Sequence, residues 1–198
     1  MSQHTPSSSQ AQEESGRPLA TNIVLSLLFV LIVYQLFFGV SGSMKKGSDA
    51  PSIEITALSQ NKKWTPTLQG KQFTVLYFWA TWCSACVKGL VYSSNQAERF
   101  NRAGTKFLMI NIDTEPKVTV DALKYFLQRR GIKKEQLQFH HKDDSLRAAN
   151  RYKINNLPGM VFIAPDGKVA GTWKGHISDN KLRALLKRYQ EEKKKKNV

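Results

Sequence analysis

An uncharged run of 18 residues, Ile23 to Val40, stands apart from the rest of the chain, where apolar stretches are short and interrupted by polar positions. Ser26 and Gln35 are its only clearly polar side chains. As a helix it reaches about 27 Å, close to the ~30 Å hydrocarbon core of a bilayer, so it predicts a transmembrane anchor over residues 21–41. A cleaved signal peptide and a buried core helix are the competing readings. The segment before the run is long and not basic, and Val40-Ser41-Gly42 is a weak cleavage site, which favours the anchor. Residues 1–20 are rich in Ser and Gln and poor in apolar side chains, and predict a disordered tail.

Beyond the run, residues 42–51 form a Gly/Ser/Lys linker. The next apolar segments alternate between the two-residue period of strands and the 3.6-residue period of helices. Ser52–Leu58 and Lys63–Thr67 predict a short strand pair, Thr74–Trp79 a buried core strand, and Val87 to about Phe100 a helix. Lys106–Ile112 predicts a second buried strand. Val120–Arg130 predicts a helix with Ala122, Leu123, Phe126 and Leu127 on one face, stopped by Gly131. A short helix over Asp144–Tyr152 precedes a strand at Met160–Ala164, a turn at Pro165–Lys168 and a hairpin partner at Val169–Lys174. Ser178 caps a last helix with Leu182, Leu185, Leu186 and Tyr189 inward, and residues 191–198 are a basic, frayed tail. This alternation predicts an α/β domain with a mixed central sheet flanked by helices over residues 52–190.

Charge changes the picture of partners more than of fold. The net charge is +15, and only Arg17, Glu13 and Glu14 precede residue 41, so the basic excess lies in the domain. A basic surface favours anionic partners such as lipid head groups or acidic proteins. A nucleic-acid role would need basic residues interleaved with exposed aromatics on a recognisable module, and none is found, so nucleic acid is excluded as a partner. The charges flanking the apolar run, Arg17 on one side and Lys45 and Lys46 on the other, point weakly to a cytoplasmic domain, but long domains translocate with little regard to charge.

The chemistry concentrates in the chain's two cysteines, at the junction between the core strand and the helix: Trp82-Cys83-Ser84-Ala85-Cys86. A Cys-x-x-Cys pair where a strand ends and a helix begins is read first as a redox site. Unsatisfied N–H groups and the helix dipole favour the reactive thiolate there. Half of a zinc site is the structural alternative, but His140 and His141 are adjacent and not at ligand spacing. Transfer of Cu(I) is another, since soft thiolates suit it, with His176 or Met160 assisting. Trp79 is read as core and Trp82 as an exposed apolar rim for substrates. Tyr77 is read as core with its hydroxyl bonded, or as a proton relay, and Lys88 as a solvated cation or a stabiliser of the thiolate.

The segment Phe78-Trp79-Ala80-Thr81-Trp82-Cys83-Ser84-Ala85-Cys86 resembles the active-site stretch of thioredoxin-like proteins, closest to the membrane-anchored TlpA/ResA-like thiol–disulfide oxidoreductases of bacteria. Tyr152 to Ile163, with Leu157-Pro158, resembles that family's second landmark, and Asp166-Gly167-Lys168 with Gly175 its terminal hairpin. The resemblance covers about residues 52–190. It implies a thioredoxin-like sheet and an enzyme that exchanges disulfides with protein thiols and disulfides. Cys83 would be the exposed nucleophile and Cys86 the buried resolving thiol. Pro158 would be cis beside the pair, and the Leu157 backbone would receive an extended substrate. No cofactor or metal is implied, and a membrane or soluble redox partner would recycle the pair. It further implies a single-pass protein of the bacterial cytoplasmic (inner) membrane with its catalytic domain on the extracytoplasmic side, acting as a reductase. A thiol-based Cu(I) metallochaperone and a catalytically weak binding module are the alternatives. The chain departs from the pattern at Tyr77, where many thioredoxins carry Asp, and at Gly89 and Val91, where TlpA/ResA-like members often carry an acid and a proline. The sequence therefore names no proton acceptor for Cys86.

Overall fold

The computed structural model describes residues 17–38, 43–114 and 118–196 and divides the chain into two compact units, residues 1–41 and 42–198. In the first unit α1 spans Arg17–Phe38. Its side chains from Thr21 to Ile32 are exposed. Among the described residues no helix is long and apolar enough to cross a membrane. The span expected over 21–41 runs past the described residues at 39–41, and the expected disordered tail lies outside them up to residue 16, while residues 17–20 are helical.

The second unit is a seven-stranded mixed sheet. The strands are β1 (Ile55–Ala57), β2 (Lys62–Trp64), β3 (Thr74–Trp79), β4 (Lys106–Asn111), β5 (His140–Lys142), β6 (Gly159–Ile163) and β7 (Val169–Lys174), in the order β2-β1-β5-β4-β3-β6-β7. β3 pairs in parallel with β4 and β4 with β5; the other pairings are antiparallel. β3 is central and buried at every position, which explains its continuous apolar reading (TVLYFW). The helices are α2 (Ser84–Lys88), α3 (Leu90–Arg102), α4 (Val120–Arg129), α5 (Arg147–Arg151) and α6 (Asp179–Lys196). The α/β thioredoxin-like sheet flanked by helices is the predicted fold class.

Several elements differ from the sequence reading. The single helix expected from Val87 to Phe100 is two helices meeting at Gly89, which closes α2 and opens α3. Strand β5, preceded by a 3-10 turn over Lys134–Phe139, was not anticipated, because His140-His141-Lys142 has no apolar signature. It is buried between β1 and β4, so its polar side chains are interior ones. In α4, Leu123 and Leu127 are buried and Phe126 is half-buried, whereas Ala122 points outward. The expected linker is docked in part: Gly47 donates to the Val169 carbonyl at 2.8 Å, Val169 to Ser48 at 2.8 Å and Ala50 to Gly167 at 2.9 Å, adding Asp49 as a bridge to Lys168 at the hairpin. Helix α6 continues through the expected basic tail to Lys196.

Candidate active site

The site is built at the C-terminal end of β3. After Trp79 the chain turns through Ala80–Trp82, with the Cys83 N–H donating to the Ala80 carbonyl at 3.3 Å. Cys83 then takes the N-cap position of α2 in an extended conformation (φ −83°, ψ 98°). Its Sγ accepts the N–H of Cys86 at 3.1 Å. The two cysteines are joined as a disulfide with their Cα atoms 5.2 Å apart. Cys83 is 9% exposed and Cys86 0%, so Cys83 is the accessible partner, though recessed rather than freely exposed. Trp82, next to it in the chain, is 68% exposed, and Trp79 is fully buried as core.

The turn is held from β4. Asp113, just past that strand and buried, accepts the Thr81 N–H with its two carboxylate oxygens at 3.2 and 3.1 Å and the Asn111 side-chain N–H at 2.6 Å. Sequence reading missed Asp113; the available signal was an acid directly following the apolar strand KFLMINI.

The Leu157–Pro158 bond is cis. Register places this loop at the same end of the sheet as the cysteines: Phe78 pairs with Gly159 and Tyr77 with Met160, so one step further sets Pro158 opposite Trp79, where the active-site turn begins. The Pro158 carbonyl accepts the Gly175 N–H at 2.7 Å, and Leu157 is half-buried against the core. A side chain at Gly159 would come within 2.7 Å of the Asn156 carbonyl, so this close turn needs glycine.

The other residue at this end is His176, which the sequence offered only as a possible aid to Cu(I) transfer. Gly175, at φ +82°, turns the chain out of β7, and the next residue folds back over α2. Its Nε2–H donates to the Ala85 carbonyl, between the two cysteines, at 2.9 Å. Nδ1 lies 3.4 Å from the Tyr77 hydroxyl and 3.3 Å from that of Ser93. Tyr77 is fully buried with its hydroxyl bonded, as the sequence suggested. Burial pushes its pKa up to about 12, against a smaller opposing pull from its hydrogen bond to Ser93, so it stays neutral at physiological pH. Among the described residues no group of three or more His, Cys, Asp or Glu comes together that could hold a metal, and Met160 is buried in β6 opposite Tyr77.

These features agree with known proteins. Thiol-disulfide oxidoreductase ResA of Bacillus subtilis (strain 168) is 27% identical over 166 residues, covering 83% of this chain and 88% of the relative. That of Bacillus thuringiensis (strain Al Hakam) is 28% identical over 166 residues, covering 84% and 91%. Among solved structures, the exposed lipoprotein thioredoxin of Streptococcus pneumoniae strain TIGR4 superposes with a TM-score of 0.56 at 19% identity, over 69% of this chain and 99% of the other. A thioredoxin-family thiol:disulfide interchange protein from Chlorobium tepidum TLS gives 0.56 at 19%, over 74% and 99%. The structural matches carry the fold, and the sequence matches, which span most of both chains, carry the enzyme class. The AhpC/TSA family model matches residues 46–172, a stretch that takes in the active-site turn, both cysteines and the cis-proline loop. The protein is thus a thiol–disulfide oxidoreductase with a thioredoxin-like fold, and the chain belongs to the AhpC/TSA family.

Proposed function

We propose that this protein is a membrane-anchored, extracytoplasmic reductase of protein disulfides. Cys83 is its nucleophile and Cys86 its resolving thiol. The observation that carries this assignment is the Cys83 sulfur at the N-cap of α2, accepting a backbone N–H and lying at the edge of accessibility, while Cys86 is sealed. A hydrogen bond to a charged acceptor is about twice as strong as one to a neutral acceptor, so the Cys86 N–H favours the thiolate of Cys83 over its thiol. That thiolate attacks a substrate disulfide. A Cys83–substrate bond forms and one substrate sulfur leaves as a thiolate. Cys86 then gives up its proton and attacks Cys83 Sγ, closing the internal disulfide and releasing the second substrate thiolate. The substrate gains two electrons and the pair loses two. Trp82 offers an apolar surface beside the sulfur, and the Leu157–Pro158 loop receives an extended substrate segment. A membrane or soluble redox partner returns the pair to its dithiol form.

The Cys86→Ser variant tests the order of events. It is expected to accumulate a mixed disulfide with substrate, recovered under non-reducing conditions and released by dithiothreitol. Absence of any such adduct, with Cys83 still alkylated at the wild-type rate, sinks the assignment.

Anchoring and placement rest on α1 and on the resemblance. Ile23 to Ile32, apolar but for Ser26, are exposed around the whole helix, and a helix apolar on every side is one that a protein core or lipid covers. Thiol–disulfide enzymes of this kind act where disulfides persist, outside the cytoplasm. Alkaline phosphatase fused to the C-terminus and expressed in a bacterium is therefore expected to be active; an inactive fusion places the domain in the cytoplasm.

A further inference from the structure

Cys86 is fully buried and must lose a proton before it attacks the mixed disulfide, yet no carboxylate from the sequence motif stands beside it. Gly89 follows it by three positions, on the same side of the helix, where side-chain bases lie roughly 5–6 Å apart. A methyl group at Gly89 would overlap the His176 imidazole, lying within 2.6 Å of Nδ1 and closer still to Cε1 and Nε2. The ring therefore occupies the place of a side chain at position 89. Its backbone is fixed there: the Trp173 indole N–H donates to the His176 carbonyl at 3.3 Å, and the Gln96 amide donates to the Ile177 carbonyl at 3.0 Å.

The hydrogen bonds set the tautomer. The Ala85 carbonyl can only accept, so the proton of the neutral ring sits on Nε2, and Nδ1 is the ring's acceptor, facing the Tyr77 and Ser93 hydroxyls. His176 is also exposed, so it exchanges protons with water while touching the helix that carries the buried thiol. We propose that His176 is the proton-accepting and positioning residue of the dithiol site, acting on Cys86 across the gap that Gly89 leaves. This rests on the reading of Cys83–Cys86 as the exchanging pair. In the resolving step the Cys86 S–H bond breaks and its proton goes to His176. The Cys86 sulfur bonds to Cys83 Sγ, the Cys83–substrate bond breaks, and the departing substrate thiolate takes up a proton, returning the imidazole to its neutral form directly or through water.

Imidazole is suited to this because it changes charge between pH 5 and 8. The titratable and charged groups on the elements around it are Tyr77 on β3, Lys174 at the end of β7, Lys88 on α2, Tyr92 and Arg99 on α3, and on α6 its first residue Asp179 and Lys181, whose ammonium lies over Trp173. Tyr77 stays neutral, and Asp179 is held ionised by its hydrogen bonds from Arg99, Gln96 and Tyr92. An ordinary helix-capping histidine would give the same contacts to Ala85, so the discriminating measurement is a pH profile.

The experiment is single-turnover reduction of insulin disulfides by the reduced full-length protein from pH 5 to 8. Acid quenching and mass spectrometry follow the decay of the mixed disulfide. The wild type is expected to show a limb titrating in this range. His176→Gln keeps a donor for the Ala85 carbonyl but does not titrate; it is expected to lose the limb and slow resolution at pH 7 by about 10-fold or more. Gly89→Ala, whose backbone (φ −95°) tolerates a side chain, is expected to do the same with the histidine still present, because the methyl group displaces the ring. Should His176→Gln fail to fold, Gly89→Ala carries the same test. A wild-type limb and rate retained within about twofold in both variants overturn the role of His176. A wild type that resolves nothing overturns the exchange reading itself.

Discussion

Cys83→Ser is expected to lower disulfide-reduction turnover on the order of 10³-fold or more, to the background of the assay, while leaving the fold intact. The two outcomes separate because Cys83 has two jobs. As N-cap of α2 its sulfur accepts the Cys86 N–H at 3.1 Å, and serine is among the best residues for that position. The reduced wild type and the variant should therefore unfold within about 1 kcal/mol of each other in urea. As nucleophile, however, sulfur cannot be replaced, since a serine hydroxyl does not ionise at neutral pH and forms no disulfide. Cys86 cannot take over, because it is 0% exposed beneath the helix start. Steady-state insulin reduction checks the first outcome and denaturant titration of the reduced proteins the second. Turnover above a few per cent of wild type in Cys83→Ser assigns the attack elsewhere, and a large loss of stability makes its capping role the dominant one.

What the sequence disclosed and what it hid follow from how local each signal is. β3 and β7 were legible to the residue, because a central strand reads as an unbroken β-rich run and a hairpin is marked by Pro165-Asp166-Gly167. The cysteine pair was legible because strand, turn and helix start all fall within a dozen residues. β5 was hidden, since His140-His141-Lys142 is made interior only by its neighbours β1 and β4. The linker was read from its Gly and Ser content, which says nothing about the backbone pairing of residues 47–50 with the distant hairpin. His176 was singled out only as a possible aid to copper. Its place over Gly89 depends on the β6–β7 register and on the turn at Gly175, which together bring residues 87 positions apart into one site. An absent side chain at Gly89 reads in sequence as a loss. In the fold it is the opening that the imidazole fills.

Stability is expected to fall steeply as pH drops from 6.5 toward 5, before carboxylate titration contributes, because of the same hidden strand. His140 and His141 are 0% and 2% exposed. Burial holds both pKa values down, to about 3 each, with further depression of His140 by the charge of His141 and of His141 by Lys106. The contacts explain why charging is disfavoured. His140 lies edge-on to Trp79 and shares one hydrogen bond, from Nε2 to the Ser94 hydroxyl at 3.0 Å. Neither nitrogen of His141 has a hydrogen-bond partner, and its ring faces Trp64. In the unfolded chain both titrate near 6.5, so between pH 6.5 and 3 the unfolded state binds more protons than the folded one. The stability due to keeping these rings neutral is thus complete above 6.5 and is lost as pH falls toward the folded values. The limiting slope is about 1.4 kcal/mol per pH unit for each histidine, so the pair can remove up to about 4 kcal/mol by pH 5, a large share of a typical 5–15 kcal/mol. Asp144 and Asp179, whose pKa values are lowered by their hydrogen-bonded partners, act only below the ordinary carboxylate range and leave this window to the histidines. Urea unfolding at pH 7.5, 6.5, 5.5 and 5.0 measures the slope. His141→Gln shifts the whole curve by a constant but should cut the slope by about half, since one of two linked protons is gone. A free energy that is flat from pH 7.5 to 5, or a slope unchanged by His141→Gln, would mean that β5 opens to water in the folded protein and that its histidines titrate there as they do in the unfolded chain.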